Sequence, residues 1–156
     1  MNSDRKIEYI SNWIKEYVIS LKFQSPCLII GISGGIDSAV TSTLCCKTGF
    51  KTIAVSMPIK QNASQHDLSI KHLDWLNANF NNVDTMIIEL DSVFASFEKT
   101  MINFNNTLAF ANSRSRLRMV TLYQVAQAKK GIVVGTGNKV EDFGVGFYTK
   151  YGDGGV

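Results

Sequence analysis

Residues 31–38 read GISGGIDS, a string whose residue types suit chemistry on phosphates. Gly34 and Gly35 can take positive φ and carry no Cβ to block an approaching anion. Ser33 and Ser38 add hydroxyl donors. An apolar run precedes the string and a helical pattern follows it, so unsatisfied helix N–H groups and the positive end of a helix dipole face the loop. Gly31, Ile32, Ser33, Gly34, Gly35, Ile36, Asp37 and Ser38 are therefore predicted to form a pyrophosphate cradle. No G-K-[ST] follows, so no lysine reaches a γ-phosphate as in a Walker A loop. That absence suits release of pyrophosphate whole. Asp37 puts a carboxylate where phosphates belong, which is unfavourable unless a cation intervenes. It is predicted to be a Mg²⁺ ligand.

Charge points to the far end of the chain. Residues 1–111 hold 9 Lys/Arg and 10 Asp/Glu, a net of −1, whereas residues 112–156 hold 7 and 3, a net of +4. Eight of the 12 glycines also lie from Gly131 onward, interleaved with Phe143, Phe147, Tyr148 and Tyr151. A basic, glycine-rich, aromatic-bearing segment suits a loop wrapped around an anionic ligand better than a solvated tail.

These residues need a scaffold, and the periodicities supply one. Ile7, Ile10, Trp13, Ile14, Tyr17, Val18 and Leu21 recur at helical spacing and predict an amphipathic helix that ends before Pro26. CLIIGIS is a continuous apolar run of the kind buried parallel strands show. A helix is expected over 37–47 with Gly49 as its stop. A second strand follows in KTIAVSM, a helix over 64–79 and a third strand in DTMIIEL. Helices are then expected over 92–104 and 112–130, the latter capped by Asn112 or Ser113 and stopped by Gly131. GIVVGT is the fourth strand. Such alternation predicts an α/β fold, a doubly wound, mostly parallel sheet with helices on both faces. Ligands bind beyond the carboxyl ends of such strands, where SGGIDS and GTGNK both fall.

The whole chain has 156 residues, enough for one domain with a real core. Cys27, Cys45 and Cys46 match neither a disulfide framework nor a zinc pattern, and read as free thiols in a reducing cytoplasm. His66 and His72 have no partner spacing that suggests a metal or a catalytic triad. The longest apolar run falls far short of a membrane span, and the N-terminal residues carry no secretory signal. A formal charge of +3 does not indicate nucleic acid.

SGGIDS resembles the PP-loop signature of the ATP pyrophosphatases, which cleave ATP to AMP and pyrophosphate while activating a carboxylate or carbonyl. Three further strings are SRSRLRM (113–119), GTGNKVED (135–142) and FYTKYGDGG (147–155). In this order and spacing the four resemble the ammonia-dependent NAD synthetase family. The resemblance implies an adenine nucleotide alpha-hydrolase-like fold and a ligase. In that family deamido-NAD, ATP and ammonia become NAD, AMP and pyrophosphate through an adenylate. It also implies Mg²⁺ and a homodimer, while the net charge of −1 over residues 1–111 argues against a nucleic-acid partner. Another ATP pyrophosphatase, such as a tRNA-modifying one, and a nucleotide-binding remnant without catalysis are the alternatives.

By position in the family motifs, Arg116 is expected to contact deamido-NAD, as are Lys150 and Asp153. Thr136, placed at the close of the fourth strand, is an expected ATP contact, and Gln65 an adenine or ribose contact. Glu141 is the expected second Mg²⁺ ligand, with Asp142 its rival one position away. Arg114 and Arg118 share a helix face and Arg116 points nearly opposite. VEDFGVGF carries one residue more than several family members have. Family members also continue beyond GDGG, so the chain is expected to lack the C-terminal part of the family domain, to bind nucleotide weakly and to turn over poorly.

Overall fold

The computed structural model describes residues 2–22, 26–60 and 63–153. Gly154 and Gly155, the last two glycines of FYTKYGDGG, lie outside the described residues.

The element order is α1 (Ser3–Ser20), β1 (Cys27–Ile32), α2 (Ile36–Lys47), β2 (Lys51–Ser56), α3 (Ala63–Asn79), β3 (Val83–Ile87), α4 (Asp91–Thr100), a short 3₁₀ turn (Ile102–Phe104), α5 (Thr107–Lys129), β4 (Gly131–Val133) and a π turn (Val140–Val145). The four strands form one sheet in the order β3-β2-β1-β4, and every pairing is parallel. The expected α/β sheet, doubly wound with helices on both faces, is the observed one.

β1 shows why. Leu28, Ile29 and Ile30 are fully buried, and successive side chains of a strand point to opposite faces. Leu28, Ile30 and Ile32 pack with Val18 of α1, Cys45 and Cys46 of α2, and Leu73 and Leu76 of α3. Cys27 and Ile29 pack on the other face with Phe94 of α4 and with Leu122 and Ala126 of α5. Helices therefore cover both faces, and each buried Leu or Ile contributes roughly 1.5–3 kcal/mol of transfer free energy. The chain moves from β1 outward to β2 and β3, then returns to place β4 on the other side of β1. The strand order reverses between β1 and β4, which is where open α/β sheets hold ligands.

Several sequence expectations shift. The apolar stripe of α1 is not core: Val18 is buried and Ile14 packs at the core edge, but Ile7, Ile10, Trp13, Tyr17 and Leu21 are exposed. One helix can bury only the strip that meets its neighbour, and α1 meets α2 along a narrow line. α5 begins at Thr107, not near residue 112, because Asn106 accepts from the Ala109 amide (2.9 Å) and caps it there. It ends at Lys130, held at φ +52°, before Gly131. Gly131 serves β4 instead, since a Cβ there would press on the Cys27 carbonyl oxygen of β1. The helix expected over 92–104 breaks at Met101 into α4 and the 3₁₀ turn. On α5, Leu122 is buried, Leu117 and Val125 pack on the core, and Val120 is exposed. Among the described residues no helix is long and apolar enough to cross a membrane.

Candidate functional site

The first wall of the site is the turn from β1 into α2. Ser38 Oγ accepts from the Ser33 amide (3.2 Å), donates to the Gly35 carbonyl (3.0 Å) and lies 3.1 Å from Ser33 Oγ. Ser33 Oγ in turn accepts from the Gly35 amide (3.1 Å). The two hydroxyls thus close the loop on itself rather than standing free as donors. Gly34 alone takes positive φ, +89°, whereas Gly35 is at −87°. A Cβ on Gly34 would overlap the Gln65 carbonyl oxygen of α3. This glycine is required by the neighbouring helix, a reason the sequence did not reveal. Gly35 supplies no side-chain cap to α2, so the first-turn amides of that helix are left for another acceptor.

The second wall follows β4. The strand ends at Val133, so Thr136 does not close it but sits in the next loop. Asn138 in that loop donates through Nδ2 to Asp37 Oδ2 (3.4 Å) and accepts through Oδ1 from the Glu141 amide (3.0 Å). One side chain therefore links the α2 entrance to the start of the segment carrying Glu141. That segment is a single π turn, Val140–Val145, closed by Gly146 at φ +66°. A π turn holds one residue more per hydrogen-bonded ring than an α turn, and it falls where VEDFGVGF runs long. Glu141 is exposed and Asp142 is half-buried, the latter with its carboxylate over Gly137. Among the described residues no three His, Cys, Asp or Glu side chains gather as a metal cluster. Asp37 and Glu141 each offer carboxylate oxygens, the donor type Mg²⁺ takes with its remaining positions filled by phosphate and water.

The third wall is α5 with the loop over residues 147–153, which closes this side, folded across it. Asn112 Oδ1 accepts from Thr149 Oγ1 (2.9 Å), Ser115 Oγ accepts from the Asp153 amide (3.0 Å), and Arg116 Nε donates to the Lys150 carbonyl (3.0 Å). Within the loop, Asp153 Oδ1 accepts from the Thr149 amide (2.6 Å). Gly152 has no room for a Cβ beside Ser115. Lys150 places its ammonium 5.0 Å from the Tyr151 ring centroid. The aromatics expected to wrap a ligand, Phe143, Phe147, Tyr148 and Tyr151, stand exposed.

These walls enclose a cavity of about 470 Å³. Gly31, Ile32, Ser33, Gly35, Gln65, Thr136 and Asp153 line it. Of the other residues singled out in the sequence, Gly34, Ile36, Asp37 and Ser38 form the adjoining turn. Arg116, Lys150 and Glu141 lie outside its lining. The arginines that do line it are Arg114 and Arg118. Arg118 Nε donates to the Met57 carbonyl beyond β2 (2.9 Å). Burial, and then the neighbouring Arg114, push its pKa down, while Asp153 partly offsets them. Arg114 lies 5.6 Å over the Phe94 ring. Met57, Ile59 and Leu122 give the cavity an apolar side suited to a flat base. The i, i+4 spacing of Arg114 and Arg118 was the available signal for that pair. Met57 and Ile59 had none beyond following a strand.

A family model described as NAD synthase matches residues 6–156. The NH(3)-dependent NAD(+) synthetase of Mesoplasma florum is 37% identical over 155 residues, 96% of this chain and 60% of that protein. The solved NH3-dependent NAD synthetase of Campylobacter jejuni superposes with a TM-score of 0.85 at 32% identity, covering 98% of this chain and 64% of the other. The NMN synthetase of Francisella tularensis also reaches 0.85, at 30% identity, covering 98% and 61%. The chain spans about three-fifths of the length of these relatives. With its sheet, its glycine turn and its family match in agreement, the chain belongs to the NAD synthase family.

Proposed function

We propose that this chain carries the ATP-binding and part of the substrate-binding surface of an ammonia-dependent NAD synthetase. The reaction is the conversion of deamido-NAD, ATP and ammonia to NAD, AMP and pyrophosphate. The observation that carries the reading is the cavity at the β1–β4 reversal, where a base-sized apolar side and two arginines meet beside the helix entrance that has no side-chain cap. In the reaction, the nicotinate carboxylate attacks the α-phosphorus of ATP, pyrophosphate leaves, and ammonia then displaces AMP from the adenylate. The α2 amides and the loop at 31–38 hold the departing pyrophosphate, because backbone N–H groups stabilise charge at no reorganisation cost. Thr136 and Gln65 border the nucleotide. Lys150 and Asp153 face deamido-NAD from the closing loop, which Arg116 braces. Asp37 and Glu141 would hold Mg²⁺, which supplies charge neutralisation for the phosphates. A homodimer acting in the cytoplasm completes the proposal.

Calorimetric titration of the chain with ATP in Mg²⁺, and separately with deamido-NAD, tests it. Binding of both supports the reading, and binding of neither overturns it. The likeness to an NMN synthetase favours a second reading, amidation of the mononucleotide. Tighter binding of nicotinate mononucleotide than of deamido-NAD would select it.

A further inference from the structure

Arg114 and Arg118 are two cations on one cavity wall, and among the described residues neither has an ion-pair partner. The described ion pairs are Lys51–Asp84 and Lys60–Glu98, so the third cation of this cavity, Lys60, is already neutralised. Asp153 also lines the cavity, with one carboxylate oxygen on the Thr149 amide, and its one negative charge offsets the two positive charges only in part. The two guanidinium groups are fixed by uncharged partners instead. Arg118 spends Nε on the Met57 carbonyl, leaving the outer edge of its planar fork. Arg114 is oriented by the face of Phe94, a buried ring, through a cation–π contact that consumes no N–H. Two like charges held together inside a wall are unfavourable unless an anion joins them. A guanidinium fork matches the oxygens of a phosphoryl group.

We infer that Arg114 and Arg118 form an anion-binding face for a phosphoryl group of the bound nucleotide, in the cavity that the glycine turn also lines. This rests on the synthetase reading for the identity of the nucleotide but not for the site itself. Arg118 has a second duty as a positioning residue: its bond to Met57 ties α5 to the exit of β2 and so holds the two sides of the cavity at one spacing. The phosphoryl group has two sources, the triphosphate of ATP or the diphosphate of the dinucleotide.

The test uses the whole chain and calorimetric titration with inorganic pyrophosphate, ATP in Mg²⁺ and deamido-NAD. R114Q leaves the Met57 tie in place, so it probes the anion face without touching that bond. R118Q removes both roles, and R118K keeps the charge while losing the fork. Pyrophosphate affinity is expected to fall about tenfold or more in R114Q/R118Q, and by less in R118K than in R118Q. A larger loss for ATP than for deamido-NAD assigns the face to the triphosphate, and the reverse assigns it to the dinucleotide. Pyrophosphate binding that depends on the arginines, with no binding of either nucleotide by the wild type, upholds the face and sinks the synthetase reading. Affinities within twofold of wild type for all three probes in both R114Q and R114Q/R118Q overturn the inference.

Discussion

Asn138 reaches across 101 residues of sequence to place its amide 3.4 Å from a carboxylate oxygen of Asp37, while its own oxygen accepts from the Glu141 amide. The two loops that flank the β1–β4 reversal are thus joined at the acid predicted to hold Mg²⁺. An amide donor beside a carboxylate orients it without cancelling its charge.

Asp37→Asn is accordingly expected to remove the Mg²⁺-dependent part of ATP affinity, on the order of tenfold or more, with the thermal midpoint little changed. Asn138→Ala should give a smaller loss of the same kind, as outer-shell partners do. Titrations with and without Mg²⁺ measure both. An Asp37→Asn protein with wild-type ATP affinity at saturating Mg²⁺ rules out the ligand role.

The turn glycines should part company on substitution. Gly34→Ala places a Cβ against the Gln65 carbonyl at a positive φ and is expected to cost about 1–3 kcal/mol. Gly35→Ala meets only Ser33 Oγ, at 3.3 Å, in ordinary backbone, and should cost well under half as much. Denaturant unfolding of the two proteins gives the comparison. Equal destabilisation would show that α3 does not set the constraint.

His72 gives the fold a pH dependence. Its Nε2 lies 2.8 Å from Ser42 Oγ, its ring stacks on Trp75, and burial lowers its pKa. A base whose folded pKa is depressed favours the native state while neutral. That stability is complete above the ordinary imidazole value of about 6.5 and is lost as pH falls through the lower folded value. The thermal midpoint of the wild type should therefore fall more between pH 7.5 and pH 5 than that of His72→Gln. Parallel falls would remove His72 from the account.

The thiols should be inert in the native state. Burial, with Cys46 beside it, pushes the Cys45 thiol up to about 12, and burial raises Cys27 and Cys46 as well. All three are buried and free, and only a thiolate attacks a disulfide reagent. Ellman's reagent at pH 8 should label none of the three in the folded protein and all three in denaturant. Rapid labelling of the folded protein would mean that the α2 face opens.

Local pattern carried the sheet because each strand declares itself within a few residues. An unbroken apolar run such as Cys27–Ile32 has to be covered on both faces, and helices between such runs force parallel crossovers. The glycine turn was legible for the same reason: a residue without a Cβ beside an apolar strand and a helix start is a local fact. Periodicity also put Arg114 and Arg118 on one side of α5 and Arg116 on the other. It did not say which side meets the cavity. That depended on where α5 settles against β1 and β4, through Leu122 and Ala126, and on the closing loop that takes up Arg116 at the Lys150 carbonyl. Tertiary structure alone assigned Gly34 to the approach of α3, left most of the α1 stripe exposed, and set Asn138 between Asp37 and Glu141. Each of these is a contact between segments far apart in the chain, and spacing along the sequence holds no record of the distance between them.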